Sequence, residues 1–424
     1  LKAVPDPTQS AAPARRDVSL DYLRATVTLL VVVLHCSLPY TYIAKAWQPA
    51  AWNAPVPIID RESVRGLGYI ITLLNASRMP LMFFISGLFT YPALRKKGSL
   101  QFLKTRFYRL GLPFLGMTLV LMPLAYYAPW SLANPGGSFG RFLLVDAHAG
   151  FAAGPGWFLW LLLFFDCVMA SLYVVAGGVM PWLIPRLRIL SQMPWLCALL
   201  LMVAGFAFFI PLTLRYGELW LPVITMPFVL QPGRSMFYAV WLFAGFLAGS
   251  TGLDQGLLAE QGRLTRDWRW WLALGLIGGN ATWFCNRTGL LLKLAPLERQ
   301  VILDLLWVVA GVVICFALIA LFRAHVRKRR AWADSLARHA YAIYACHYIF
   351  ALWMERELLR VSAPALVKFS LCCVVTVALS WAAAIGWLRL WKLGLLWVGS
   401  AAPPAASGER LGEQGLEGVV RRRA

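Results

Sequence analysis

Charge is scarce in this chain. Asp, Glu, Lys and Arg together make up 14% of the 424 residues, against about 25% in a soluble domain. Acid is the scarcer half: 19 Asp and Glu stand against 40 Lys and Arg, a formal net charge of +21. Histidine occurs five times, and the eight cysteines form no CxxC pair. The low charge excludes a disordered chain and an ordinary soluble enzyme. The cysteine spacing argues against a disulfide framework or a zinc module. No cleavable signal peptide and no internal repeat is evident. The polar, Pro- and Ala-rich residues 1–17 read as a cytoplasmic tail leading into an uncleaved signal anchor.

What the chain has in place of charge is apolar length. Hydrophobic residues reach 60%, tryptophan occurs 20 times, and the mean hydropathy is +0.65. This predicts an all-α, polytopic membrane bundle of about ten helices at about 20 apolar residues per span. The apolar segments run over about 19–43, 67–92, 110–130, 156–178, 195–214, 236–252, 270–285, 301–322, 339–354 and 364–388, the sixth, seventh and ninth being short. Alternate connections are rich in Lys and Arg: Arg95, Lys96, Lys97, Lys104, Arg106 and Arg109; Arg186 and Arg188; Arg263, Arg266 and Arg269; and Arg323 to Arg338. The positive-inside rule puts these connections and both termini in the cytoplasm. It also absorbs the net charge, so no nucleic-acid partner is expected. Domains are expected at 1–17 (tail), 18–397 (membrane domain) and 398–424 (basic, disordered tail). The long loops at about 44–66 and 131–155 hold Pro, Gly and Trp and would face outward as a lid or substrate platform.

A charge at membrane depth costs at least about 2.5–3.5 kcal/mol on insertion scales, so each one needs a reason. Arg24 and His35 lie eleven residues apart in the first segment. At 100° per residue both fall on one helix face, about 16 Å apart along the axis. They read as a polar seam, or separately as a snorkelling anchor and a helix–helix hydrogen bond. Arg78 sits mid-segment in NASRMPLMFFISG. It must line a cavity or pair with Asp166 or Asp304, and Pro80 breaks the local ladder beside it. His347 lies in YAIYACHYIF, with Tyr344 one turn and Tyr341 two turns before it. His35–Cys36 and Cys346–His347 are poor chelates, since adjacent helical side chains point about 100° apart, so no metal is expected. Arg106 and Arg109, three apart, share a face that can grip a phosphate or simply mark the cytoplasmic side.

Five elements in order then resemble a known family: Arg24 and His35 with ten residues between; MFFISGLF, with Phe83, Phe84, Ser86, Gly87 and Phe89; Arg106-FY-Arg109; GPGWFLWLLL with Trp157; and YAIYACHYIF with His347. Together they are similar to the integral-membrane acyltransferase family 3. SRMPLMFFISGLFTY and RLGLPFL most resemble its glucan-biosynthesis protein C branch, associated with succinylation of periplasmic glucans. The resemblance implies O-acyl transfer, acetyl or succinyl, in a bacterial inner membrane. The donor would be cytoplasmic acyl-CoA, with no permanently bound cofactor. The acceptor would be a hydroxyl of an extracytoplasmic carbohydrate, and envelope-glycan assembly proteins are candidate partners. His35 would serve as base and Arg24 or Arg78 as oxyanion stabiliser. Arg106 and Arg109 would hold the CoA phosphates. Ser86, Trp157, Asp166 and His347 would support the site, His35 or Ser86 being able to carry the acyl group. A secondary transporter or flippase also suits intramembrane Arg and His. A non-catalytic membrane partner in polysaccharide assembly is a third reading.

Overall fold

The computed structural model describes residues 17–42 and 51–392. The expected tails, Lys45 and the basic run Arg421–Arg423 lie outside the described residues.

The first helix, α1 (Val18–Ser37), starts where Asp17 caps it, its carboxylate accepting from the Ser19 and Leu20 amides, the usual remedy for unpaired N–H groups at a helix start. α2 (Arg65–Lys97) carries Pro80 and Pro92 inside its 33 residues and stops at Gly98, φ 74°. α3 (Ser99–Ala133) is one continuous helical stretch. Two π-helical segments, Phe107–Gly111 and Met117–Leu121, interrupt it. Each precedes a turn opened by a proline, Pro113 and Pro123, which has no N–H for the regular ladder. Next come the short α4 (Phe139–His148), then α5 (Trp157–Ala176), α6 (Met180–Ser191) and α7 (Pro194–Tyr216). A two-residue antiparallel ribbon, β1 (Leu221–Pro222) and β2 (Val229–Leu230), pairs Leu221 with Leu230. α8 (Pro232–Thr251), α9 (Trp268–Thr288), α10 (Pro296–His325), α11 (Ala331–Leu358) and α12 (Ala365–Lys392) complete the bundle.

Seven helical stretches among the described residues are long and apolar enough to cross a membrane: Val18–Tyr40, Arg65–Lys97, Ser99–Ala133, Gly154–Ser191, Pro194–Tyr216, Pro296–His325 and Ala365–Leu390. The sixth, seventh and ninth expected segments also form long helices, α8, α9 and α11, but these fall short in composition. α9 opens Trp-Arg-Trp-Trp and ends in Asn286-Arg287; α11 carries Asp334, Arg338, Glu355 and Arg356.

α1 is central. It packs on α2, α10, α11 and α12, so its polar residues meet several helices at once. The closest backbone approach joins α2 to α8. A Cβ on Gly87 would lie 2.2 Å from the Leu242 carbonyl oxygen, one on Gly245 2.2 Å from that of Phe84, and one on Gly249 2.1 Å from that of Leu88. Gly245-Phe-Leu-Ala-Gly249 is the small-xxx-small pattern by which membrane helices touch backbone to backbone. Gly87 of MFFISGLF is therefore a packing residue.

Two polar ties fix the ends of α1. At its start Arg323 of α10, almost fully buried, donates to Asp17 and, at 3.1 Å, to Ser19. The Arg323 charge and the local hydrogen bonds outweigh burial and hold the Asp17 carboxyl below its ordinary range. Beyond the far end of α1, buried Asp60 of the loop before α2 pairs with buried Lys368 of α12 at 2.9 Å. Arg323 and Arg330 of the last basic connection meet the start of α1. The Asp60 amide donates to the Pro39 carbonyl past its other end, and Trp52 of that same loop packs on Phe142.

Candidate functional site

His35 sits in the last turns of α1, where α11 crosses it. Its ring lies 5.3 Å from that of His347 and 5.1 Å, edge-on, from Tyr348. His347 is fully buried, and its Nδ1 is 2.7 Å from the Tyr344 carbonyl oxygen. A carbonyl only accepts, so Nδ1 carries the proton and Nε2 presents a lone pair. Among the described residues that Nε2 has no hydrogen-bond partner, and neither does His35 Nδ1. Two imidazoles with unused nitrogens, side by side inside a bundle, are a costly arrangement for packing alone. Tyr344 closes the near side: its ring is 5.9 Å from that of His347, and its hydroxyl donates to the Pro155 carbonyl in the turn before α5.

Arg78 of α2 lies within Coulombic reach of His35. Its Nη1 donates to the Asn75 amide oxygen at 2.7 Å, and its buried Nε has no partner among the described residues. The expected acid partners are taken elsewhere. Asp166 of α5 faces Arg106, and Asp304 of α10 accepts from Gln300 at 2.8 Å. No ion pair to Arg78 is present among the described residues, so its charge is available to a ligand. Beyond it, Tyr238 of α8 lies stacked between Phe83 and Trp157 at 5.2 and 6.0 Å, and Trp157 meets Trp220 at 5.4 Å. Trp157 thus forms the wall on the ribbon side. Arg234, one turn before Tyr238, donates to Glu218 at 2.5 Å, and that guanidinium holds the exposed Glu218 carboxyl below its usual range.

The remaining expected residues stand apart. Arg24, about 16 Å along α1 from His35 by helical rise, has a side chain 43% exposed and bonds to Asp21 at 3.5 Å. Ser86 is half-buried on α2, about 12 Å by rise from Arg78 toward the basic end. Arg106 turns inward. Its Nε is 3.1 Å from buried Asp166 and its Nη2 donates to Thr90 at 3.3 Å. Arg109, inside the first π segment, lies exposed, its carbonyl accepting from Tyr341. The two arginines therefore face different surroundings, one an interior acid and one the surface.

Sequence reasoning missed an aromatic path. From His35 it runs through Tyr348 to Tyr126 of α3 at 5.7 Å, on to Trp52 of the loop at 5.8 Å, and to Phe142 of α4 at 5.3 Å. Tyr348 adjoins His347 in sequence, which was a usable signal. Nothing in the sequence alone ties Trp52 to Tyr126. Asp146 lies buried at the end of α4 with Oδ1 on the Ala152 amide at 3.3 Å, and burial pushes its carboxyl up to about 6.

The profile of the acyltransferase family 3, described as an acyltransferase domain, covers residues 17–385, which is most of the chain and includes every residue of the site. No curated protein and no solved structure matches. With several helices long and apolar enough to cross a bilayer, the chain is a multi-pass membrane protein and belongs to the acyltransferase family 3.

Proposed function

We propose that this acyltransferase moves an acyl group from acyl-CoA at the basic, cytoplasmic end of the bundle to a hydroxyl of a carbohydrate at the aromatic, extracytoplasmic end. On this reading α8, α9 and α11 cross the membrane with the other seven, both chain ends are cytoplasmic and the membrane is a bacterial inner membrane. The observation that carries it is the His35–His347 pair beside an arginine that has no acid partner among the described residues.

A sugar hydroxyl needs a positioned base at neutral pH. His347 Nε2, held bare by the Tyr344 carbonyl, and the adjoining His35 supply one between them. The hydroxyl oxygen attacks the thioester carbonyl as its proton passes to imidazole. The C–O bond forms, the C–S bond breaks, and the proton leaves with the CoA thiol. Negative charge grows on the carbonyl oxygen in between. Arg78, fixed by Asn75 in a site of low dielectric, is placed to stabilise it. Arg109, with Arg95, Lys96 and Lys97 of the same basic stretch of sequence, offers charge to the CoA phosphates. Arg106, already matched by Asp166, positions the start of α3. Arg24 marks the donor's way in. A direct transfer uses every group near His35 and leaves Ser86 outside the reaction.

The test supplies purified protein in nanodiscs with labelled acetyl-CoA or succinyl-CoA and an envelope-carbohydrate pool. Label should reach carbohydrate from one donor and fail to do so with His35→Ala. Acetyl-CoA as the working donor would remove the succinyl reading of the glucan-biosynthesis branch. Transfer undiminished in His35→Ala would remove the site.

A further inference from the structure

At the aromatic end a groove of about 510 Å³ opens between the end of α3 and the end of α11. Its size falls within the range of small-ligand sites. Tyr127, Ser131, the Pro135–Gly137 turn, Arg356 and Arg360 line it. Tyr127 is rigid. Its hydroxyl donates to the Gly137 carbonyl at 2.8 Å, and its ring lies against Trp130 at 6.0 Å and Trp353 at 6.2 Å. Both arginines share one acid: Arg356 Nη1 is 2.6 Å from Glu357 Oε1, and Arg360 Nη1 3.3 Å from Oε2. Two cations on one carboxylate leave a net positive charge in the groove. Arg356 Nε is buried with no partner among the described residues, and its guanidinium lies 5.3 Å from the Trp353 ring. Arginines at this end run against the positive-inside bias, so charge sorting does not explain them.

A run of packed rings joins the groove to the site. Tyr127 touches Phe142 at 5.8 Å, and Phe142 touches Trp52, where the path to Tyr348 and His35 begins. Arg356 is nine residues beyond His347 on α11, about 14 Å by helical rise. A chain molecule with one unit at His35 would lay later units here. An aromatic wall suits a sugar ring, and guanidinium groups that outnumber their one carboxylate suit a carboxylate or phosphate. We infer that this groove is an acceptor subsite for an anionic glycan, the sugar against Tyr127 and the acidic group on Arg356 and Arg360. The inference rests on the carbohydrate-acceptor reading above and narrows it to chains that carry negative charge.

Binding tests it without needing catalysis. Protein in phosphatidylcholine nanodiscs is titrated with an oligogalacturonate heptamer and, separately, with neutral maltoheptaose. The anionic chain should bind more tightly. Arg356→Gln/Arg360→Gln should weaken it at least tenfold while leaving the neutral chain unchanged. The double variant strands no buried charge, because Glu357 is 47% exposed. Glu357→Gln should tighten anionic binding by freeing both arginines. Equal affinity for the two oligosaccharides, or an unchanged double variant, overturns the assignment. Binding of a short-chain phosphatidylglycerol in phosphatidylcholine discs that is tighter than that of the heptamer, displaces it and is lost in the double variant would make the groove a lipid-headgroup site instead and equally overturn the assignment. Failure of acyl transfer alongside intact Arg-dependent glycan binding would count against the enzymatic reading and leave the subsite standing.

Discussion

Arg78→Met separates catalysis from architecture. If the guanidinium serves the reaction, its removal costs one donor to the oxyanion, about 10²–10³ in kcat, or about 2.7–4 kcal/mol. Stability should move the other way or hold. The charge costs at least about 2.5–3.5 kcal/mol at membrane depth. Among the described residues its hydrogen-bond partner is the neutral Asn75 amide, so no buried acid is left behind there. Methionine fills much the same length without charge. The assays are kcat for CoA release in nanodiscs and thermal unfolding in the same discs, each normalised to folded protein. The expected result is a large fall in kcat with an unchanged or higher Tm. Arg78→Lys, which keeps the charge but loses the fixed fork, should recover part of the rate. A lower Tm with normal kcat per folded molecule would make Arg78 a structural residue and refute the reasoning.

Other outcomes follow from the same geometry. Gly87→Ala and Gly249→Ala should each destabilise by about 1–3 kcal/mol through overpacking, because their Cβ atoms would meet backbone oxygens at 2.2 and 2.1 Å. Gly116→Ala, with nothing within 4 Å, should be neutral or gain up to about 1 kcal/mol in helix propensity; thermal unfolding compares the three, and equal shifts would contradict the α2–α8 contact. Asp166→Asn should cost about 3 kcal/mol by leaving Arg106 without its acid, with much of the loss recovered in Asp166→Asn/Arg106→Gln; strictly additive losses in a double-mutant cycle would show that the pair is not coupled. Asp146 is raised by burial to about 6, so its protonated form is favoured on folding. That contribution is complete below the ordinary carboxyl range and lost as pH rises through about 6. Asp146→Asn should flatten the fall in Tm between pH 4 and pH 7, about the span of that titration; an unchanged slope would assign it to other groups.

Much of the bundle is legible because membrane depth leaves few choices. Apolar runs longer than a span must be helices, and the helices at 18–37, 65–97, 194–216, 296–325 and 365–392 follow the expected segments. The three short segments were weak for the reason their helices are least apolar: α8, α9 and α11 carry polar and charged residues amid the apolar ones. The small α4 and α6 and the β1–β2 ribbon have no span-length signal and were not expected. Within the site, a single-helix rule told which face His35 and Arg24 share. It did not tell what that face meets, which depends on how each neighbouring helix is rotated. So the Arg78 pairing with Asp166 or Asp304 did not appear, since Asp166 lies opposite Arg106. The glycine in MFFISGLF acquires its meaning from Gly245 and Gly249, 158 and 162 positions later, a relation invisible until the helices are packed.

The central claim is that His35 and His347 act as one proton-handling unit. The direct measurement is single-turnover CoA release, with acceptor present, by wild type, His35→Ala, His347→Ala and the double variant in nanodiscs, all matched for Tm. Each single change should slow the chemical step by about 10²–10⁴-fold, and the double variant should be little slower than either, as groups acting together are non-additive. Losses that multiply in the double variant, or a rate untouched in either single variant, would contradict it.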